Sequence, residues 1–354
     1  MTLVYFIILL GVLIFVHELG HFIAAKSMGV TVTKFSLGFG PRVIGKKIGD
    51  TDYRISAFPL GGYVRMMGDD PSEELPREER RSSFLTQKNW RKILIVGAGP
   101  LFNLIFAILV LWAVFMVGVP VADPVLGELK PGYPAELAGM SPGDRIIAVN
   151  GRSVTEWESM AVIIAGSGGN ELEFKIVRDD KEMVFRVKPI FEEGLSDIMT
   201  PQKKYMVGIT PSGDYHVVKR GPLSAMAEGV LETGRLIYLT FLVIGKMFTG
   251  EVALNNLGGP ILIAKVAGEA ARLGIMPYLN FMALISINLA VLNLLPVPVL
   301  DGGHLLFFTI EGIIRRPISL KVKEIALQIG LGLLVLLMIL AFYFDIERLI
   351  FSGQ

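Results

Sequence analysis

The 354-residue chain contains no cysteine. A disulfide framework and a thiolate metal site are therefore both excluded, and any metal must be held by histidine and carboxylate. Charge is also scarce: 19% of residues are charged, 34 basic against 33 acidic, for a formal net charge of +1. That balance gives no reason to expect nucleic acid as a partner. Apolar residues abound instead, at 52% of the chain with a mean hydropathy of +0.56. Such values belong to a polytopic membrane protein with a soluble portion rather than to a globular enzyme.

Four stretches meet the roughly 20-residue requirement of a bilayer core. These expected spans are residues 1–25, 93–119, 277–300 and 325–344, and the last three contain no charged residue. The first lacks the basic leader of a secretory signal, and its apolar run continues directly into a cluster of ionisable residues, so it reads as a span. Leu236–Val243 and its flanks are apolar but short, which suggests an interfacial or re-entrant helix within an amphipathic 216–276 region. Lysine and arginine crowd the segment between spans one and two, from Lys26 to Lys92, and recur as Arg315, Arg316, Lys321 and Lys323 between spans three and four. Both loops are expected on the cytoplasmic side, with residues 120–276 on the opposite side.

Between the spans the pattern changes. Residues 31–67 alternate apolar and polar and are punctuated by glycine, as expected of a small antiparallel sheet associated with the membrane. Residues 68–92 form a mixed-charge cytoplasmic linker to which no chemistry is assigned. From 123 to 204 the composition is that of a soluble α+β domain, with an Asn150-Gly151 hairpin turn. The fold class expected is thus an α-helical polytopic membrane protein of four transmembrane helices, with a small sheet and one inserted domain.

The chemistry lies in the first span. His17-Glu18-Leu19-Gly20-His21 puts two imidazoles at i and i+4 on one helix face, spaced to share a zinc ion, with Glu18 placed to take a proton from water held there. Two histidines and a glutamate are costly in hydrocarbon unless they bind something or line a wet cavity. A matching feature closes span three, Asn293-Leu294-Leu295-Pro296-Val297-Pro298-Val299-Leu300-Asp301-Gly302-Gly303-His304. The prolines break the helix, and unwound backbone at membrane depth is tolerated only where protein or water surrounds it. Asp301 then completes two nitrogens and one carboxylate as metal ligands, or else orients a ligand histidine. Asn293 either stabilises a developing oxyanion or packs helices together. His304 reads as a supporting residue and His216 as an ordinary surface histidine. Asn255 and Asn256 serve either a substrate backbone or a turn.

The paired H-E-x-x-H and N-x-x-P-x-P-x-L-D-G patterns resemble the signatures of the site-2 protease family. The Phe35–Gly40 loop, the Phe58–Val64 run and Gly99-Pro100-Leu101-Phe102-Asn103 are similar to its bacterial branch, and residues 123–204 resemble a PDZ domain. The resemblance implies a Zn²⁺-dependent endopeptidase of the bacterial inner membrane. It implies regulated intramembrane proteolysis of single-span proteins such as anti-sigma factors in a stress response, or of remnant signal peptides. Gly38, Phe39 and Gly40 would then offer an edge to an unwound substrate, and the extracytoplasmic PDZ domain would take a peptide or chain end. The best-known members carry two PDZ domains, whereas this chain has room for one. A catalytically silent PDZ-bearing membrane scaffold and an ion transporter are the competing classes. Glu18 argues against the scaffold, and the lack of an evident inverted repeat against the transporter.

Overall fold

A computed structural model describes residues 1–70, 76, 79–195, 201–256 and 258–351. Residues 71–75 and 77–78 of the linker, 196–200 of the inserted region and Leu257 lie outside the described residues. The chain forms two compact units, residues 1–114 with 222–354, and residues 115–221.

The first unit opens with α1 (Thr2–Ser27), followed by β1 (Val32–Ile48), β2 (Thr51–Met66) and α2 (Asn89–Val117). Strands β1 and β2 are long and each is used twice. Residues 42–48 pair with 51–56 as an antiparallel hairpin, residues 32–37 pair antiparallel with 62–66, and 34–37 also run alongside 52–55. In that last pairing both numbers rise together, Lys34 opposite Asp52 through Leu37 opposite Ile55, so the interior pair is parallel and the purely antiparallel expectation is corrected. The positive-φ glycines Gly38 and Gly40 allow β1 to change direction between its two roles. The resulting order is 62–66, 32–37, 51–56, 42–48. Segment 62–66 is therefore an outer strand with no strand partner on its far side among the described residues.

The second unit contains β3 (Val119–Ala122), β4 (Leu126–Leu129), α3 (Pro134–Leu137), β5 (Arg145–Val149), β6 (Arg152–Ser153), α4 (Trp157–Ala165), β7 (Leu172–Arg178), β8 (Lys181–Val187), β9 (Ile190–Leu195), β10 (Pro201–Met206), β11 (Ile209–Pro211) and β12 (Tyr215–Val218). A four-stranded sheet of order β6-β5-β7-β8 packs Ile146, Val149, Phe174 and Ile176 against Met160 and Ile164 of α4. Asn150 and Gly151 both have positive φ, as the expected hairpin turn requires. Buried Asp144 binds the Arg178 guanidinium at 2.6 and 2.7 Å and accepts the Ser141 amide, fixing the Ser141–Asp144 turn. The unit is wider than 123–204. Residues 216–218, expected within an amphipathic region, instead form β12, which pairs with β3.

The chain returns to the first unit through α5 (Pro222–Phe248), α6 (Pro260–Leu273), α7 (Ile275–Leu294), α8 (Asp301–Ile314) and α9 (Leu320–Phe351). Helix α5 is a single 27-residue helix rather than a short apolar one. Among the described residues four helices, α1, α2, α7 and α9, are long and apolar enough to cross a membrane. The third ends at Leu294, not Leu300, because Pro296 disfavours helix at the residue before it. Leu295 accordingly adopts φ −63°, ψ 145°. Around α1, Leu9 and Leu13 pack on Ala267 and Ala270 of α6 and Met282 of α7, while the Tyr278 hydroxyl donates to the Tyr5 carbonyl at 2.7 Å.

Candidate metal centre

Helix α1 presents His17 and His21 on the face that meets α2. The approach is close because the contact residues are small: a Cβ on Gly20 would lie 2.3 Å from the Ala98 carbonyl oxygen, and one on Gly99 would lie 2.3 Å from Nε2 of His21. Gly99 thus leaves the volume into which both imidazoles project. The third group arrives from the break after α7. Residues 295–300 form an irregular loop, and α8 begins at Asp301 with its first turn nested under that loop. Only glycine fits there, since a Cβ on Gly302 would sit 2.1 Å from the Leu295 oxygen and one on Gly303 2.4 Å from the Val297 oxygen.

Three ligand atoms converge. Asp301 Oδ2 lies 3.1 Å from His17 Nε2 and 3.5 Å from His21 Nε2, and the two Nε2 atoms are 3.2 Å apart. A tetrahedral zinc ion with bonds of about 2.0–2.1 Å holds its ligand atoms about 3.3 Å apart, so this triangle has the size zinc requires. Asp301 Oδ2 is moreover buried without a hydrogen-bond partner, a costly arrangement for a carboxylate that coordinates nothing. Among the described residues, His17, His21 and Asp301 are the one group of three or more His, Asp or Glu whose donor atoms meet in this way.

The rings are held from behind. His21 Nδ1 donates to the Ile95 carbonyl at 2.9 Å, which leaves its Nε2 as the lone-pair atom facing the centre. His17 Nδ1 faces the Asn103 amide at 3.3 Å. Asn103 is fully buried and its Oδ1 lacks a donor. Turning that oxygen toward His17 Nδ1–H satisfies both groups and frees Nε2 of His17 in the same way. Ser286 of α7 fixes Asn103 in turn, its hydroxyl donating to the Asn103 carbonyl at 2.8 Å.

The centre opens into a cavity of about 440 Å³ lined by Glu18, Tyr63, Val64, Phe84, His304 and Phe308 together with the three converging residues. The Val64 backbone amide faces the Glu18 carboxylate. The outer strand of the sheet, Gly62 to Met66, therefore forms one wall. Phe39 stands behind it, its ring stacked on Tyr63 at 6.1 Å, while Gly38 and Gly40 are not among the lining residues. Asn293 is not among them either. Asn255 and Asn256 line a separate recess with Phe344, Glu347 and Arg348. His216 is not a lone surface histidine: its Nδ1 lies 2.6 Å from Asp123 Oδ1. What the residue patterns did not reveal as site-forming is the 62–66 wall, Phe84 and the supporting role of Asn103. The Gly61-Gly62 pair was the available signal, because Gly61 (φ +123°) leaves the space that the Phe39 ring fills.

Comparison with known proteins agrees with this geometry. The model of peptidase family M50 matches residues 5–337. An Agrobacterium fabrum protein named "Putative zinc metalloprotease Atu1380" is 37% identical over 98% of this chain and 95% of its own length. The regulator of sigma-E protease RseP of Escherichia coli is 34% identical, with 97% of this chain and 98% of that protein covered. The Haemophilus influenzae regulator of sigma E protease is 32% identical, with 97% and 98% covered. The Escherichia coli alignment runs over 447 positions against a chain of 354 residues, so that relative carries inserted sequence. With the match extending over nearly its whole length and the converging His-His-Asp group in place, this chain belongs to peptidase family M50, the site-2 protease family.

Proposed function

We propose that the protein is a zinc-dependent endopeptidase that cuts transmembrane segments of other membrane proteins, with His17, His21 and Asp301 as metal ligands and Glu18 as general base. One observation carries the reading: two imidazole nitrogens and a carboxylate oxygen within 3.1–3.5 Å of one another, in a cavity that Glu18 also lines. Three protein donors leave a fourth position open, the arrangement of a catalytic rather than a structural zinc site. When bound, zinc supplies Lewis acidity, bringing the pKa of water toward about 7 and polarising a carbonyl.

The chain's own groups do the rest. Glu18 takes the proton of the attacking water and returns it to the leaving amine. Ile95 and Asn103 keep both Nε2 lone pairs directed inward. A helical substrate hides its peptide bonds, so it must unwind, and the outer strand 62–66 supplies an edge to which an extended segment can hydrogen-bond. Helix-breaking Gly, Ser, Asn or Pro in the target accordingly favours cleavage. The family resemblance favours a single-span anti-sigma factor as the substrate class, ahead of remnant signal peptides, and the relatives' names tie those proteins to regulation of sigma E. The distribution of lysine and arginine supports a centre toward the cytoplasmic face of the inner membrane. We assign the 115–221 unit to the opposite side, as one PDZ-like domain for a peptide or chain end.

The test is Glu18→Gln, with zinc content and cleavage of a single-span reporter carrying a Gly/Asn-interrupted helix measured together. The variant is expected to keep its zinc and to lose cleavage by about 10²–10⁴-fold. Cutting at the rate of the intact protein would overturn the assignment of Glu18. Absence of zinc from the intact protein, with no cutting by either form, would replace the protease with a scaffold.

A further inference from the structure

A second cavity, of about 400 Å³, lies immediately before α2 and is lined by Arg80, Arg81, Thr86, Gln87, Lys88 and Arg91. Four of these six residues are cationic and none is acidic. The wall is built rather than incidental. Gln87 Nε2 donates to the Arg81 and Ser83 carbonyls at 2.9 and 3.1 Å, and Thr86 Oγ1 donates to the Ser83 carbonyl at 3.0 Å. Two backbone bonds tie the same loop to the sheet region, Phe84 N to Met67 O at 2.8 Å and Thr31 N to Ser82 O at 3.0 Å. Arg91 is held at one end by Gln87 Oε1 at 2.9 Å, while its buried Nε has no hydrogen-bond partner.

The level of this cavity along α2 identifies its occupant. Trp90 is 51% exposed, and Leu94, Leu101, Ile105 and Leu109 continue outward-facing along the helix. An exposed tryptophan at the start of a lipid-facing apolar stripe marks the boundary between headgroups and hydrocarbon. The Arg91 guanidinium lies 5.4 Å from the Trp90 ring. The cations therefore stand at headgroup height, where the abundant anion is the phosphate of a phospholipid. We propose that residues 80–91 form a binding site for the phosphodiester of an anionic phospholipid, with Arg81, Lys88 and Arg91 as its cationic contacts.

The full chain, purified and placed in nanodiscs, tests this. Native mass spectrometry and thermal melting would compare phosphatidylcholine alone with phosphatidylcholine containing phosphatidylglycerol. Arg81→Gln with Lys88→Gln removes two exposed charges and leaves the Arg91 packing intact. Lys46→Gln with Lys47→Gln removes the same charge from the exposed β1 hairpin. Phosphatidylglycerol is expected to remain bound and to raise the melting temperature of the intact protein and of the Lys46/Lys47 control. The Arg81/Lys88 variant is expected to lose roughly tenfold or more in retention, together with the melting shift. Equal retention of both lipids, or equal loss in both variants, would reduce the site to diffuse surface charge and overturn the proposal. Inorganic phosphate in detergent is the remaining arm, and a shift as large as the lipid's would reassign the cavity to a free anion.

Discussion

At the scale of single residues, the centre depends as much on atoms that are missing as on those that are present. Gly99 has no Cβ because His21 Nε2 occupies that space, 2.3 Å from where the carbon would be. Gly99→Ala is therefore expected to push both imidazoles out of register and to abolish zinc retention while leaving helix content unchanged, as metal analysis and circular dichroism on the same sample would reveal. Asn103 acts one bond further back. Asn103→Ala removes the group that fixes the His17 tautomer and should weaken zinc about 10–100-fold, read by competition with a chelator. Unchanged affinity would make Asn103 a packing residue only. His17, Glu18 and His21 are legible in the sequence because a helix converts a four-residue spacing into one face, and Asp301 because two prolines announce the break that delivers it. Asn103 is not, since its partner lies 86 residues away in another apolar helix and no local period links them.

At the scale of elements, two buried acids hold helices together at points that local patterns do not disclose. Asp345, on α9, accepts the Gly259, Ile261 and Leu262 amides at 2.9–3.1 Å and so caps the N-terminus of α6 across 83–86 residues. Asp345→Ala leaves these donors without their acceptor and is expected to cost roughly 2–4 kcal/mol, seen as a lowered melting temperature. Glu311 on α8 is 7% exposed and ties down the start of α9, accepting from the Ile318 amide at 3.0 Å and from Lys323 at 2.7 Å. Burial alone pushes the Glu311 carboxyl up, but these two donors outweigh it and leave it below the ordinary glutamate value. A carboxyl lowered in the folded state stabilises above its unfolded value of about 4.3, and that contribution drains away as pH falls through the lower folded value. Melting between pH 6 and pH 3 should therefore fall more steeply for the intact protein than for Glu311→Gln, which has no such proton to take up. The same long-range logic explains the sheet: the period-2 alternation of residues 31–66 identifies strands, but a parallel pairing of 34–37 with 52–55 has no local signature.

At the scale of the molecule, the insertion is a self-contained body, and its boundaries come from backbone rather than composition. Residues 115–221 bury their own core around Phe174, Ile146 and Met160, and the compositional change at 123 marks only where the polar residues begin. The first and last turns of the unit meet, because the Arg220 amide donates to the Phe115 carbonyl at 3.0 Å. On the other side of each junction, Trp112 Nε1 donates to the Pro222 carbonyl at 3.0 Å, so the remaining unit brings α2 and α5 together by itself. A short Gly/Ser linker can therefore join Val114 to Pro222 without stretching either neighbour. The excised protein is expected to keep one zinc per chain and Glu18-dependent cleavage of the interrupted-helix reporter, since every residue of the centre lies in the unit that is left. Residues 115–221 alone should melt cooperatively in aqueous buffer on the strength of their own core. Loss of zinc from the excised protein, with its helical content intact, would mean that the insertion helps to hold the centre. Loss of cleavage with zinc retained would instead assign the insertion to substrate capture.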